Sequence, residues 1–222
     1  GYSSAASDVY KRQGLIALVL GLLFLEILIV HSKNEQQKNA SNQVQTARIM
    51  ANGDLLYHDG LYMSALQSDG SYDFTENFTY VKPWLKQADL VLGDFEGTIN
   101  PDYPLSGYPL FNAPQSVTAA IKDAGYDVMD LAHNHILDSG LEGAFTTADA
   151  LKKVGIDPIG VYEKPVRDKA PLLIKNVNGI KVAILSYAYG YNGLESNLTD
   201  KEVADHLSNC LLYTSPSPRD PK

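Results

Sequence analysis

Three apolar, strand-like runs in this chain end in turns loaded with side chains that can ligate a metal. They are Arg48-Ile-Met-Ala-Asn-Gly-Asp54, Leu90-Val-Leu-Gly-Asp-Phe-Glu96-Gly97 and Val128-Met-Asp-Leu-Ala-His-Asn-His135, the last followed by Asp138-Ser-Gly140. Asp54, Asp94 and Asn134 stand 40 residues apart each time, which leaves room for a strand, a helix and a loop. In an open α/β sheet the ligand crevice lies at the carboxyl ends of the strands. Three adjacent strands would therefore bring Asp54, Asp94, Glu96, Asn134 and His135 to one edge. Hard oxygens with one or two imidazoles suit Mn, Mg, Fe or Zn, so the pattern points to a metal-dependent hydrolase.

The individual signals differ in weight. Gly53-Asp54 alone could be a helix cap or a turn former. Gly93-Asp94-Phe95-Glu96-Gly97 sets two carboxylates two residues apart between glycines. Such a pair can approach a cation from one side, and without one the charges repel and titrate abnormally; two solvated loop acids are the alternative. His133-Asn134-His135 is the most specific stretch. Asn134 offers a neutral oxygen that leaves a metal electrophilic, and a histidine can ligate or act as general acid. Asp138 could fix the tautomer and orientation of His135. His133 is either part of the site or a satisfied histidine at the sheet edge. His58 is a reserve ligand or a surface residue, and His206 receives no role.

The elements that must position these residues form one α/β domain over 47–209. The hydropathy pattern predicts strands near 47–52, 89–93, 127–131, 157–161, 171–177 and 180–186. Asn178-Gly179 marks a hairpin between the last two. Pro114 opens a helix that stops at Gly125. Ser139-Gly-Leu-Glu142 reads as a capping box for a helix whose buried face is Leu141, Phe145, Ala148, Leu151 and Val154. Thr199-Asp-Lys-Glu202 reads as a second capping box.

Residues 1–13 and 210–222 read as sequencing-adapter coding. A coding strand for Asp8-Val-Tyr-Lys-Arg-Gln13 has a reverse complement that, shifted by one base, encodes Cys-Leu-Leu-Tyr-Thr and the start of a serine, matching 210–215. Such tails are set aside from fold reasoning. Cys210 is the only cysteine, so the remainder has no disulfide and no thiolate zinc site. Without Lys11, Arg12, Arg219 and Lys222 among 18 basic residues, and without Asp8 and Asp220 among 26 acidic ones, the balance is 14 against 24, a net charge of −10. So acidic a domain lacks the basic footprint of a nucleic-acid binder. The apolar run 14–30, broken by Glu26, is short for a membrane span. No Ala-x-Ala-like site follows it, so 14–31 is expected to be an uncleaved anchor, or else a signal segment, with 32–46 as a polar linker.

The stretch Phe111-Asn-Ala-Pro-Gln-Ser-Val-Thr-Ala-Ala-Ile-Lys-Asp-Ala-Gly-Tyr-Asp-Val-Met-Asp-Leu-Ala-His-Asn-His-Ile-Leu-Asp-Ser-Gly140 resembles the CapA family of poly-γ-glutamate capsule biosynthesis proteins. Gly53-Asp54, Gly93-Asp-Phe-Glu-Gly-Thr98 and Lys181-Val-Ala-Ile-Leu-Ser-Tyr187 fit it too, so the resemblance covers nearly all of 47–190. It implies a calcineurin-like metallophosphatase fold, a four-layer α/β/β/α sandwich with a two-metal centre, incomplete at its carboxyl end here and preceded by the anchor. It implies Asp54, Asp94, Glu96 and Asn134 as metal ligands and His135 as the acid on the leaving group. The chain departs from the pattern at Leu56, where metallophosphatases carry histidine, at Asp94, often asparagine, and at His133, also often asparagine. The later histidine motifs are absent, so this fragment is expected to be inactive alone. The resemblance implies a membrane-anchored, outward-facing protein serving an anionic surface polymer or its synthase and export complex. It would be a metal-dependent hydrolase or transferase of unspecified scissile bond, or a non-catalytic scaffold.

Overall fold

A computed structural model describes residues 18–35, 44–166 and 172–207. The adapter-like stretches 1–13 and 210–222 and most of the expected linker lie outside the described residues. The chain divides into two compact units, 1–45 and 46–222. In the first, α1 (18–35) is the described element.

Among the described residues no helix is long and apolar enough to cross a membrane. α1 runs past the apolar run through His31 into Ser32-Lys-Asn-Glu35, the start of the expected linker, and it carries Glu26, Lys33 and Glu35. A span needs about 20 predominantly apolar residues, and each buried charge is costly in hydrocarbon. This corrects the expected single-pass anchor, together with the membrane partner and the extracellular-face localisation that rested on it.

The second unit is built on four strands: β1 (Ile49–Asp54), β2 (Leu90–Asp94), β3 (Val128–Asp130) and β4 (Asp157–Ile159). All pair in parallel, in the order β1-β2-β3-β4. β2 and β3 are continuous apolar runs because both of their faces are covered. The helices between the strands are α2 (Asp59–Ala65), α3 (Lys82–Leu85), α4 (Val117–Ala124) and α5 (Gly140–Lys153). Val91, Met129 and Leu131 pack with Val117, Ile121, Ala144, Ala148 and Leu151 in the main core. Leu90, Val128 and Ile159 point the other way, onto Val177, Leu173, Val182 and Ile184.

Those last residues belong to an antiparallel hairpin, β5 (Leu173–Val177) and β6 (Ile180–Ile184). Its turn is Asn178-Gly179, with φ of 52° and 86°. Both angles lie in the left-handed region that a two-residue hairpin turn of this type requires, and Asn-Gly meets that requirement best. The described residues thus form helices, a parallel sheet and a hairpin, where four layers were expected. The outer side of the hairpin leaves Ile174 about half exposed. The α/β architecture with its parallel sheet is consistent with a metallophosphatase-like fold; the four-layer form preceded by an anchor is not what the described residues show.

Two helix starts separate local signal from tertiary context. α6 (Asp200–His206) has the expected capping box, with the Thr199 side chain accepting from Glu202 N and Glu202 accepting from Thr199 N at 2.7 Å. At α5 the expected box is absent: Ser139 makes no cap bond and donates instead to Thr98 Oγ1 at 2.8 Å. Ser139 and Thr98 are both buried, and a buried hydroxyl must find its partner where the fold offers one.

Candidate metal centre

The first three strands each end on an aspartate. Asp54 pairs with Asp94, and Asp94 with Asp130, so three aspartates end neighbouring strands at the carboxyl edge, the strands themselves about 4.8 Å apart. The ladder is irregular between Ala51 and Asp54: β1 spends one residue more than β2 over that interval, which is a β-bulge. Beyond β2 the chain turns sharply. Phe95 is fully buried and Gly97 has φ of 126°, which leaves Glu96 beside the strand ends. Ligand atoms of Asp54, Asp94 and Glu96 all lie within 4.8 Å of one another.

Crowding sets the electrostatics. Burial pushes the Asp94 carboxyl up to about 7, and the charges of Asp130 and Asp54 add to it. Glu96 also rises to about 7, first through burial, then through its hydrogen bond and charge contact with Asp54 and through Asp94 and Asp138. Asp94 Oδ1 is buried with no hydrogen-bond partner among the described residues. A buried, unsatisfied carboxylate oxygen is rare. Here it faces a cluster whose remaining needs are met by protons or by a cation, and three carboxylates fit a hard divalent ion. A cavity of about 180 Å³ opens beside Asp94 and Asp130, between the sheet edge and Ile184 of the hairpin.

The turn after β3 is built by its own side chains. Asp130 Oδ1 accepts from Ala132 N at 2.8 Å and from the Ser186 hydroxyl. His133 Nδ1 accepts from His135 N at 3.1 Å. His133 is buried, and burial drives its pKa down to about 3, with His135 contributing. It is thus a neutral histidine that shapes the turn. His135 points the other way. Its Nδ1 lies 2.8 Å from Asp138 Oδ2 and its Nε2 lies 3.9 Å from Glu96 Oε1. The ring stands edge-on to Phe111, centroids 4.8 Å apart. Asp138 Oδ2 also accepts from Phe111 N at 2.6 Å. Burial raises the Asp138 carboxyl while these donors lower it.

The fold therefore brings Asp54, Asp94 and Glu96 together, with His135 and Asp138 at their border. Asn134 is exposed and donates through Nδ2 to Asn192 Oδ1 at 3.2 Å. His58 is the N-cap of α2, accepting from Asp59 N at 2.8 Å. His206 Nδ1 lies 2.8 Å from Tyr162 O, away from the strand ends. Sequence reasoning overlooked Asp130, although it closes the third run just as Asp54 and Asp94 close theirs. It also overlooked Asn192, whose only local signal is an Asn-Gly turn.

A parallel α/β sheet with a carboxylate triad at its carboxyl edge is consistent with a metallophosphatase-like fold and holds a candidate divalent-metal centre. Residues 48–215 match the family model for the bacterial capsule synthesis protein PGA_cap, and the chain belongs to that family. It is 31% identical over 153 residues to the capsule biosynthesis protein CapA of Bacillus anthracis, covering 65% of this chain and 36% of that protein. It is 25% identical over 175 residues to the PGA biosynthesis protein CapA of Bacillus subtilis (strain 168), covering 78% and 44% respectively. The chain thus spans less than half the length of these curated relatives.

Proposed function

We propose that this chain carries the carboxylate half of a metal-dependent hydrolase or transferase centre in the biosynthesis of poly-γ-glutamate or a similar capsule polymer. The observation that carries the reading is the triad Asp54, Asp94 and Glu96, its ligand atoms within 4.8 Å of one another. Asp54, Asp94, Glu96 and Asn134 would hold the metal, which when bound supplies Lewis acidity and an activated water. The triad supports one ion. A second, as in two-metal hydrolases, would need donors beyond these four residues.

The chain's own residues supply proton handling and orientation. A carboxylate only accepts, so the 2.8 Å contact with Asp138 assigns the hydrogen of His135 to Nδ1 and leaves Nε2 toward the cluster. Protonated on both nitrogens, His135 would hand the Nε2 proton to the leaving group. Asp138 keeps the ring in that orientation, and the edge of Phe111 limits its rotation.

The test is metal content beside turnover of γ-glutamyl amide and phosphoester model substrates by the intact protein. Asn134→Ala is expected to lower metal occupancy, whereas His135→Ala keeps the metal and slows turnover by about 10²–10⁴-fold. Full metal with no turnover of either ester or amide would favour a non-catalytic scaffold. The reading of 1–13 and 210–222 as adapter coding is likewise a proposal. The family match extends to 215, and the genomic locus decides whether these peptides are native.

A further inference from the structure

Asn192 has a backbone conformation that asparagine tolerates but does not need. Its φ is 55°, in the left-handed region, and Gly193 follows at 81°. A glycine at 192 would satisfy that backbone at lower cost, so the side chain needs its own explanation. Its anchor is firm: Tyr191 is fully buried, and Leu194 N donates to Tyr191 O at 2.9 Å.

Two side chains of the turn after β3 lie within reach of Asn192. Asn134 Nδ2 donates to Asn192 Oδ1 at 3.2 Å, and Asn192 Nδ2 lies 3.5 Å from His135 Nδ1. These contacts are not equivalent. His135 Nδ1 gives its hydrogen to Asp138 at 2.8 Å, so it cannot also accept from Asn192. The specific partner of Asn192 is therefore Asn134. A carboxamide has one donating and one accepting end. Once the NH2 of Asn134 is held by Asn192, its Oδ1 is the end left to act as a ligand. Turned the other way, Asn134 would present two hydrogens to a cation.

We propose that Asn192 is a positioning residue that fixes the Asn134 carboxamide with its oxygen available to the metal. It would thereby tie the loop after β6 to the turn after β3, 58 residues earlier in sequence. The inference rests on the metal-centre reading above. Outer partners that orient a ligand are worth about 10–100-fold in metal affinity.

The experiment is titration of the metal-free full chain with Mn²⁺ for wild type, Asn192→Gly, Asn134→Ala, the double variant and Asp94→Asn. Asn192→Gly suits the backbone, so it should fold normally and lose about 10-fold or more in affinity. In the Asn134→Ala background the same change should cost nothing further, because the group it orients is gone. Unchanged affinity in Asn192→Gly, or equal losses with and without Asn134, would overturn the inference while Asp94→Asn still abolishes binding. Equal binding by Asp94→Asn and wild type would instead remove the metal centre itself, and the inference with it.

Discussion

Asp54 stands opposite Asp94 because β1 carries one more residue than β2 between the pairs Ala51–Leu92 and Asp54–Asp94. A regular ladder continued from Ala51–Leu92 would set Gly53 opposite Asp94 and turn Asp54 to the other face. The bulge at Asn52-Gly53 is thus what aligns the first two carboxylates. It also creates the repulsion that defines the site.

That repulsion makes metal-free stability depend on pH. Asp94 and Glu96 titrate near 7 in the folded chain, above their ordinary 3.8 and 4.5. The folded state therefore holds protons that the unfolded state releases. Their contribution is fully present below about pH 4 and is lost as pH rises through about 7. Asp94→Asn should flatten this dependence and stabilise the metal-free protein by about 1–2 kcal/mol at pH near 8, after allowance for the water that reaches a half-buried carboxylate. Urea denaturation of both proteins across pH reads the difference. A variant less stable than wild type at high pH would contradict the prediction.

Asp138→Ala should release the tautomer of His135. Phe111 N and His135 Nδ1 both meet Asp138 Oδ2, so the substitution removes the acceptor that holds the ring hydrogen on Nδ1. The hydrogen of the neutral ring is then free to move to Nε2. Side-chain ¹⁵N NMR of His135 distinguishes the two forms, and turnover by the intact protein should fall by about 10²-fold or more. An unchanged tautomer would show that Asp138 does not set it.

Gly160 lies where β4 passes the turn of His133. Its φ is 96°, and an added Cβ would sit 2.6 Å from Ala132 N and 2.9 Å from Ser186 Oγ. Gly160→Ala should destabilise the fold by about 2–4 kcal/mol, combining a left-handed backbone with overpacking. The denaturation midpoint measures this, and a shift within error would contradict the close approach.

Asn112 is buried at the centre of the loop that leads to Phe111. Its Nδ2 donates to the carbonyls of Asn100, Tyr103 and Pro104 at 2.9, 3.1 and 3.2 Å, and its Oδ1 accepts from Asn100 N at 2.8 Å. Asn112→Ala leaves these partners buried and unpaired, so a loss of about 2–4 kcal/mol is expected. The same denaturation assay applies. A neutral effect would mean that water replaces the side chain.

Where the sequence could be read and where it could not follows from the range of each signal. β2 and β3 are legible as unbroken apolar runs because they are covered on both faces, and the hairpin is legible because Asn178-Gly179 is a local turn. Asp130 escaped notice because Leu131 and Ala132 continue the apolar run past it and blur the strand end. The contact of Asn192 with Asn134 is set by tertiary folding across 58 residues, and no local pattern encodes it. Ser139 carries a local capping signature, but the buried Thr98 hydroxyl claims its side chain. The apolar run containing Glu26 suggested a membrane span, yet the helix containing it continues into Lys33 and Glu35.

The central claim is that Asp54, Asp94 and Glu96 bind one divalent cation. Calorimetric titration of the metal-free chain with Mn²⁺, in buffers of different ionisation enthalpy near pH 7, tests it most directly. Both raised carboxyls are partly protonated there, so binding should release protons. One equivalent bound with proton release, and binding lost in Asp94→Asn and Glu96→Gln, is the predicted result. No binding, or binding unchanged by both substitutions, would contradict the claim.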